Sequence, residues 1–122
     1  MAPPSILVAE DDPAMRRWLV TVLTPVAGRI HAVTDGWQVW NALIEEDIDL
    51  VISDIQMPIK NGLDMLNVVR VTGIRVPFLL ITGFGSDEVR VSAAALGAEV
   101  LDKPFAAAEL LGHVRRICGL LA

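Results

Sequence analysis

The sequence predicts an α/β fold, a five-stranded doubly wound parallel sheet with five helices. Three observations lead there. Short apolar runs alternate with segments of helical periodicity, five times along the chain. The apolar runs are near-continuous, as in strands buried on both faces of a parallel sheet. The 122 residues make one ordinary domain with no room for two, so the expectation is a single domain over residues 1–122. Right-handed crossovers then wind the helices onto both faces.

Each element can be justified in order. Residues 5–9, Ser-Ile-Leu-Val-Ala, read as a buried strand. Met15, Trp18, Leu19, Val22 and Leu23 follow at i, i+3, i+4, i+7 and i+8, the stripe of an amphipathic helix, and Pro13 suits its first turn. Residues 29–33 form a second strand. Asp35-Gly36 is a turn before a helix carrying Val39, Trp40 and Leu43. Residues 50–53 are a wholly apolar third strand apart from Ser53. Residues 62–72 read as a helix with Leu63, Leu66 and Val69 on one face and Gly73 at its end. Residues 76–82 are the fourth strand. Ser86 caps a fourth helix with Asp87 and Glu88 in its first turn, ending at Leu96-Gly97. Residues 98–102 are a short fifth strand. Leu110, Leu111, Val114, Ile117, Cys118 and Leu121 make the stripe of a last helix.

Composition excludes several classes. Apolar residues are 53% and charged residues 20% of the chain, against the profile of a disordered segment. The longest apolar runs are about six residues, and a transmembrane helix needs about 20. No membrane association is expected. Residues 1–5 lack the basic region and apolar segment of a signal peptide. Fifteen acids against ten bases leave a net charge of −5 and no basic stripe, so no direct nucleic-acid binding is expected. The one cysteine, Cys118, rules out an internal disulfide and fits a cytoplasmic location.

In an open parallel sheet the ligand sits beyond the carboxyl ends of the strands. There the sequence places Glu10, Asp11 and Asp12 after strand one, Asp54 at the end of strand three, Thr82-Gly83 after strand four, and Asp102-Lys103-Pro104 after strand five. Clustered carboxylates repel, and a hard divalent cation relieves that repulsion. Oxygen donors without His or Cys suit Mg²⁺. Lys103 beside such a metal calls for an anion. A phosphoryl group would meet the cation, the ammonium and the Thr82 hydroxyl on its different sides. A carboxylate can itself accept the group as an aspartyl-phosphate, and Asp54 is the candidate. Singly, these residues have blander readings. Asp12 before Pro13 is an N-cap, and a lone Thr is a strand former. Trp18, Trp37 and Trp40 are expected to pack. Arg16-Arg17 read as a solvated helix face, and His31 and His113 have no expected partner.

With these motifs in place, the chain resembles the receiver domains of bacterial two-component response regulators. The matching stretches are residues 6–13, Asp54-Ile55-Gln56-Met57-Pro58 with Asn61-Gly62, Ile81-Thr82-Gly83, and Asp102-Lys103-Pro104-Phe105. The resemblance implies a flavodoxin-like sheet of order 2-1-3-4-5 and a cis Lys103–Pro104 bond. It implies that Asp54 takes a phosphoryl group from a histidine kinase's phosphohistidine. Asp11 would bind Mg²⁺ directly, Glu10 mostly through water, and the Gln56 carbonyl would complete the protein ligands. Thr82 and Lys103 would hold the phosphoryl oxygens. Expected partners are a sensor histidine kinase or phosphotransfer protein, and an output domain or effector. The expected oligomeric state is a monomer or a weak dimer through the fourth helix, fifth strand and fifth helix. Two departures stand out. Glu10 replaces the commoner Asp, and Val100 stands where the family usually has an aromatic residue. The switch is then expected to run through Phe84 or the fourth helix.

Two other functions fit the same architecture. A phosphohydrolase using an aspartyl-phosphate needs a second acid two residues after the nucleophile, and that position is Gln56. A flavin-binding module needs a phosphate loop of N–H donors after strand one, where Glu10-Asp11-Asp12 would repel phosphate. The reading is therefore a phosphoacceptor, not an enzyme beyond phosphorylating and dephosphorylating itself at Asp54.

Overall fold

The structure, a computed structural model, describes residues 2–120. The elements are β1 (Ser5–Ala9), α1 (Pro13–Leu23), β2 (Arg29–Val33), α2 (Gly36–Glu45), β3 (Leu50–Asp54), α3 (Gly62–Val71), β4 (Phe78–Thr82), α4 (Asp87–Ala95), β5 (Glu99–Asp102) and α5 (Ala107–Ile117). The five strands are all parallel, in the order β2-β1-β3-β4-β5. Leu121, assigned to the last helical stripe, lies outside the described residues. Among the described residues no helix is long and apolar enough to cross a membrane.

Alternation along each strand splits the core into two layers. Ile6, Val8, Ile52, Leu79 and Ile81 pack with Leu19 and Leu23 of α1 and Leu110 and Val114 of α5. Leu7, Ala9, Val51, Phe78 and Leu80 face the other way, onto Val39 of α2, Met65, Leu66 and Val69 of α3, and Ala93 of α4. Each fully buried Leu or Ile side chain stabilises the fold by about 1.5–3 kcal/mol. The helices start where polar side chains meet free N–H groups. Asp12 accepts from Met15, Asp35 from Gln38, Asn61 from Asp64 and Ser86 from Val89. Gly73, with φ of 90°, takes the left-handed backbone that ends α3.

Some boundaries differ from the sequence expectation. β4 begins at Phe78 rather than at residue 76, because Pro77 brings no N–H to the ladder, although its carbonyl still accepts from Val51. β5 begins at Glu99 rather than residue 98, and β3 runs on through Asp54. Thr72 caps α3 instead of extending it. Asp35 is the N-cap and Gly36 the first helical residue, so the pair is a helix start.

Three side-chain expectations are also corrected. His31 and His113 both have carboxylate partners, Glu46 and Glu99 respectively. Those partners lie 15 and 14 residues away in sequence, where only the tertiary fold joins them. Trp37 does not pack in the core. It is exposed, with the Lys60 ammonium 6.0 Å from its ring centroid.

Candidate functional site

The registers of the ladders build the site. Ala9 pairs with Ser53, Asp54 with Ile81 and Thr82 with Asp102. The carboxyl ends of β1, β3, β4 and β5 are thus level, and Glu10, Asp54, Thr82 and Lys103 emerge along one edge. Backbone bonds extend the ladders just past the strands: Glu10 N donates to Val33 O at 3.0 Å, Ile55 N to Ile81 O at 2.9 Å and Lys103 N to Thr82 O at 2.8 Å. The Lys103–Pro104 bond is cis.

Asp54 is buried at 5% exposure, yet it is fully partnered. Its Oδ2 lies 2.5 Å from Lys103 Nζ, and its Oδ1 accepts from Gln56 N at 2.9 Å. Ser53 Oγ donates to the Asp54 carbonyl at 2.9 Å. Gly62 is required behind it: a Cβ there would come within 2.5 Å of Asp54 O and 2.8 Å of Ser53 Oγ. The start of α3 can therefore close against the end of β3, and Gly62 N donates to Ile55 O at 2.9 Å. Between them Lys60 N donates to Pro58 O at 2.7 Å, a three-residue turn that holds the exposed Ile59 at φ 69°.

Glu10 is buried at 1% exposure and less well satisfied. Its Oε2 accepts from Asp12 N at 3.2 Å. Its Oε1 has no hydrogen-bond partner and lies 3.6 Å from Lys103 Nζ. Burial, reinforced by the neighbouring Asp54, raises the Glu10 carboxyl from 4.5 to about 7, against the opposing effects of the Asp12 N–H and Lys103. Burial by itself would lower the Lys103 ammonium, but its hydrogen bond to Asp54 and the charges of Asp54 and Glu10 carry the net shift upward.

Thr82 is buried, and its Oγ1 accepts from Phe84 N at 3.0 Å. A Cβ on Gly83 would meet nothing within 4 Å, so the space on that side of the residue after Thr82 is open. Asp11 is exposed at the rim, and Asp12 is the N-cap of α1. The Gln56 side chain is exposed while its main chain lies against Asp54. Beside Lys103, the residues Met15, Trp18, Pro104 and Phe105 line an open cleft of about 220 Å³. Trp18 packs there on Phe105, ring centroids 5.7 Å apart.

The oxygen donors that could hold a hard cation are Glu10, Asp11 and Asp54 with the Gln56 carbonyl. The partnerless, buried Glu10 Oε1 is the atom such a cation would satisfy. Among the described residues no three His, Cys, Asp or Glu side chains gather as a cluster. Lys103 engages Asp54, and Asp11 stands in solvent. Missed by the sequence reading is Arg16. It is not a solvated residue like Arg17: its Nη1 donates to Glu10 O at 2.9 Å and to Asp11 O at 3.3 Å. The available signal was its place four residues after the N-cap, since helical side chains lean toward the N-terminus.

Comparison with known proteins agrees with this geometry. The family model described as the response regulator receiver domain matches residues 6–115. The probable transcriptional regulatory protein SilR of Salmonella typhimurium is 38% identical over 113 residues, 92% of this chain and 50% of that protein. The transcriptional regulatory protein CusR of Escherichia coli is 35% identical over the same shares. The chain thus spans about half the length of these curated relatives. Among solved structures, the chemotaxis protein CheY4 of Vibrio cholerae superposes with a TM-score of 0.86 at 26% identity, covering 95% of this chain and 99% of that one. The receiver domain of the Francisella response regulator 1452 gives a TM-score of 0.89 at 24% identity, over 96% and 98%, a likeness of fold.

Proposed function

The chain belongs to the response regulator receiver domain family of two-component signal transduction, and on that premise we propose that Asp54 is its phosphoacceptor. The observation that carries this reading is the contact of Asp54 Oδ2 with Lys103 Nζ at 2.5 Å, beside the buried Glu10. A carboxylate oxygen of Asp54 attacks phosphorus as the P–N bond of a partner's phosphohistidine breaks. The imidazole leaves and takes its proton from solvent. Glu10, Asp11, Asp54 and the Gln56 carbonyl would hold Mg²⁺, which when bound neutralises charge on the phosphoryl oxygens. Lys103 passes from Asp54 to a phosphoryl oxygen, and the Thr82 hydroxyl donates its O–H to another. Water attack at phosphorus later frees Asp54, so the chemistry is confined to the chain's own carboxylate. Gln56 leaves the phosphohydrolase reading without its second acid.

We read the remaining expectations as follows. The partners are a histidine kinase or phosphotransfer protein and an output domain or effector. The α4–β5–α5 face serves as the responding surface, in a monomer or a weak dimer. The net charge of −5 supports a protein-binding module that does not itself contact nucleic acid, in a cytoplasmic setting. The test is intact-mass measurement after incubation with a small acyl phosphate. With Mg²⁺ the wild type should gain one phosphoryl group, and Asp54→Asn or added chelator should prevent it. Equal labelling of Asp54→Asn would refute the assignment.

A further inference from the structure

Arg16 contacts neither a carboxylate nor the phosphoacceptor. Its guanidinium instead reaches back from α1 to the segment that joins β1 to α1. One nitrogen, Nη1, serves both the Glu10 carbonyl at 2.9 Å and the Asp11 carbonyl at 3.3 Å. The same segment is pinned at its other end. Asp12 N donates to Glu10 Oε2 at 3.2 Å, and Asp12 Oδ2 caps Met15 N at 3.0 Å. A carbonyl held in place fixes its peptide plane, and the planes on either side of a residue set the direction in which its Cβ leaves. The two held carbonyls belong to the peptides on either side of Asp11, and the peptide before Glu10 is held by Glu10 N donating to Val33 O at 3.0 Å, so three fixed planes aim two consecutive carboxylates. Arg16 is half-buried, whereas its neighbour Arg17 is exposed.

From this we propose that Arg16 is a positioning residue for the divalent-cation site, holding the main chain of Glu10 and Asp11 so that their carboxylates present as a preformed pair. The proposal rests on the reading that these acids hold Mg²⁺. It has a sign that separates it from simple electrostatics. A guanidinium near a cation repels it, so an Arg16 acting only by charge would tighten Mg²⁺ binding when removed. A positioning Arg16 weakens binding when removed, because the ligands lose their fixed direction. Residues supporting metal ligands from behind carry effects of about 10- to 100-fold on affinity.

The experiment is calorimetric titration of the whole chain with Mg²⁺, alongside thermal unfolding in chelator. Arg16→Gln should raise the Mg²⁺ dissociation constant about tenfold, while the melting temperature without metal stays close to that of wild type. Arg16→Lys should recover part of the affinity. Arg17→Gln, which removes the same charge from the exposed neighbour, should bind Mg²⁺ as tightly as wild type or slightly more so. Should Arg16→Gln fail to fold, Arg16→Met retains the alkyl stem and takes its place. Wild-type or tighter affinity in the Arg16 variant overturns the proposal. Absence of Mg²⁺ binding in the wild type overturns the functional reading beneath it.

Discussion

Burying one carboxylate beside another disfavours ionisation of whichever has fewer compensating partners. In this site that residue is Glu10. Asp54 has the Lys103 ammonium and the Gln56 N–H, whereas Glu10 Oε1 has no hydrogen bond. The repulsion that the sequence suggested for the whole acid cluster is thus concentrated on a single side chain. Asp11 is exposed, and removing the Asp54 charge would take the main partner from Lys103. The linkage has a definite sign. The Glu10 carboxyl rises from 4.5 to about 7 on folding, through burial first and Asp54 next. Its contribution to stability is therefore intact below pH 4.5 and is lost as pH rises through about 7. In chelator, Glu10→Gln should be more stable than wild type at pH 8, by on the order of 1–3 kcal/mol, and should show no such gain at pH 4. Urea unfolding at the two pH values measures this. The same difference at both would show that Glu10 is not the strained carboxylate. Sequence alone could not rank these acids. Lys103 lies 49 residues from Asp54, and only the sheet brings them into contact.

At the scale of elements, two of the helix caps were legible because each carries its own local chemistry. Ser86 before two acids and Asp12 before Pro13 mark helix starts by side chain alone. The start of β4 was misplaced because apolar character continues through Val76 while the ladder waits for a residue with an N–H. Arg16 escaped notice because two adjacent arginines differ only in the face of α1 that each occupies. The loop from β4 into α4 is the element best placed to respond to a phosphoryl group. Thr82 Oγ1 accepts from Phe84 N, so turning the Thr82 side chain to donate its O–H to a phosphoryl oxygen would loosen the loop at that residue. Phe84 is 75% exposed. One turn into α4, Arg90 pairs with Asp102 at 2.5 Å, immediately before Lys103. On the proposed reading, that ion pair would couple either strand end to α4 without an aromatic at Val100, which is half-buried against the core. With the phosphoryl mimic beryllofluoride and Mg²⁺, amide shifts should extend from Thr82 through Arg90 and to Asp102–Lys103. Shifts confined to residues 54–62, with 83–105 silent, would show that this face is not the output.

For the molecule as a whole, the fold and its polarity followed from patterning. Five β-then-α units of apolar strands gave a sheet covered on both sides, and its observed surface of 6303 Å² is close to the roughly 6,400 Å² expected for a folded chain of this mass. All strands run parallel, so every carboxyl end lies on one edge, and the chemistry-bearing residues had to meet there. What patterning could not supply was the relative height of the strands. The registers pairing Ala9 with Ser53 and Thr82 with Asp102 bring the groups level and within bonding distance. That convergence supports the proposal that Asp54 is the acceptor among several neighbouring acids, and chemical trapping tests it most directly. Borohydride reduces an aspartyl-phosphate to homoserine, whose position tandem mass spectrometry of the digested chain then reads. After phosphorylation in Mg²⁺, homoserine should appear at position 54. Homoserine at position 11, or the 5-hydroxynorvaline that a reduced glutamyl-phosphate leaves at position 10, with Asp54 unchanged, would contradict the account.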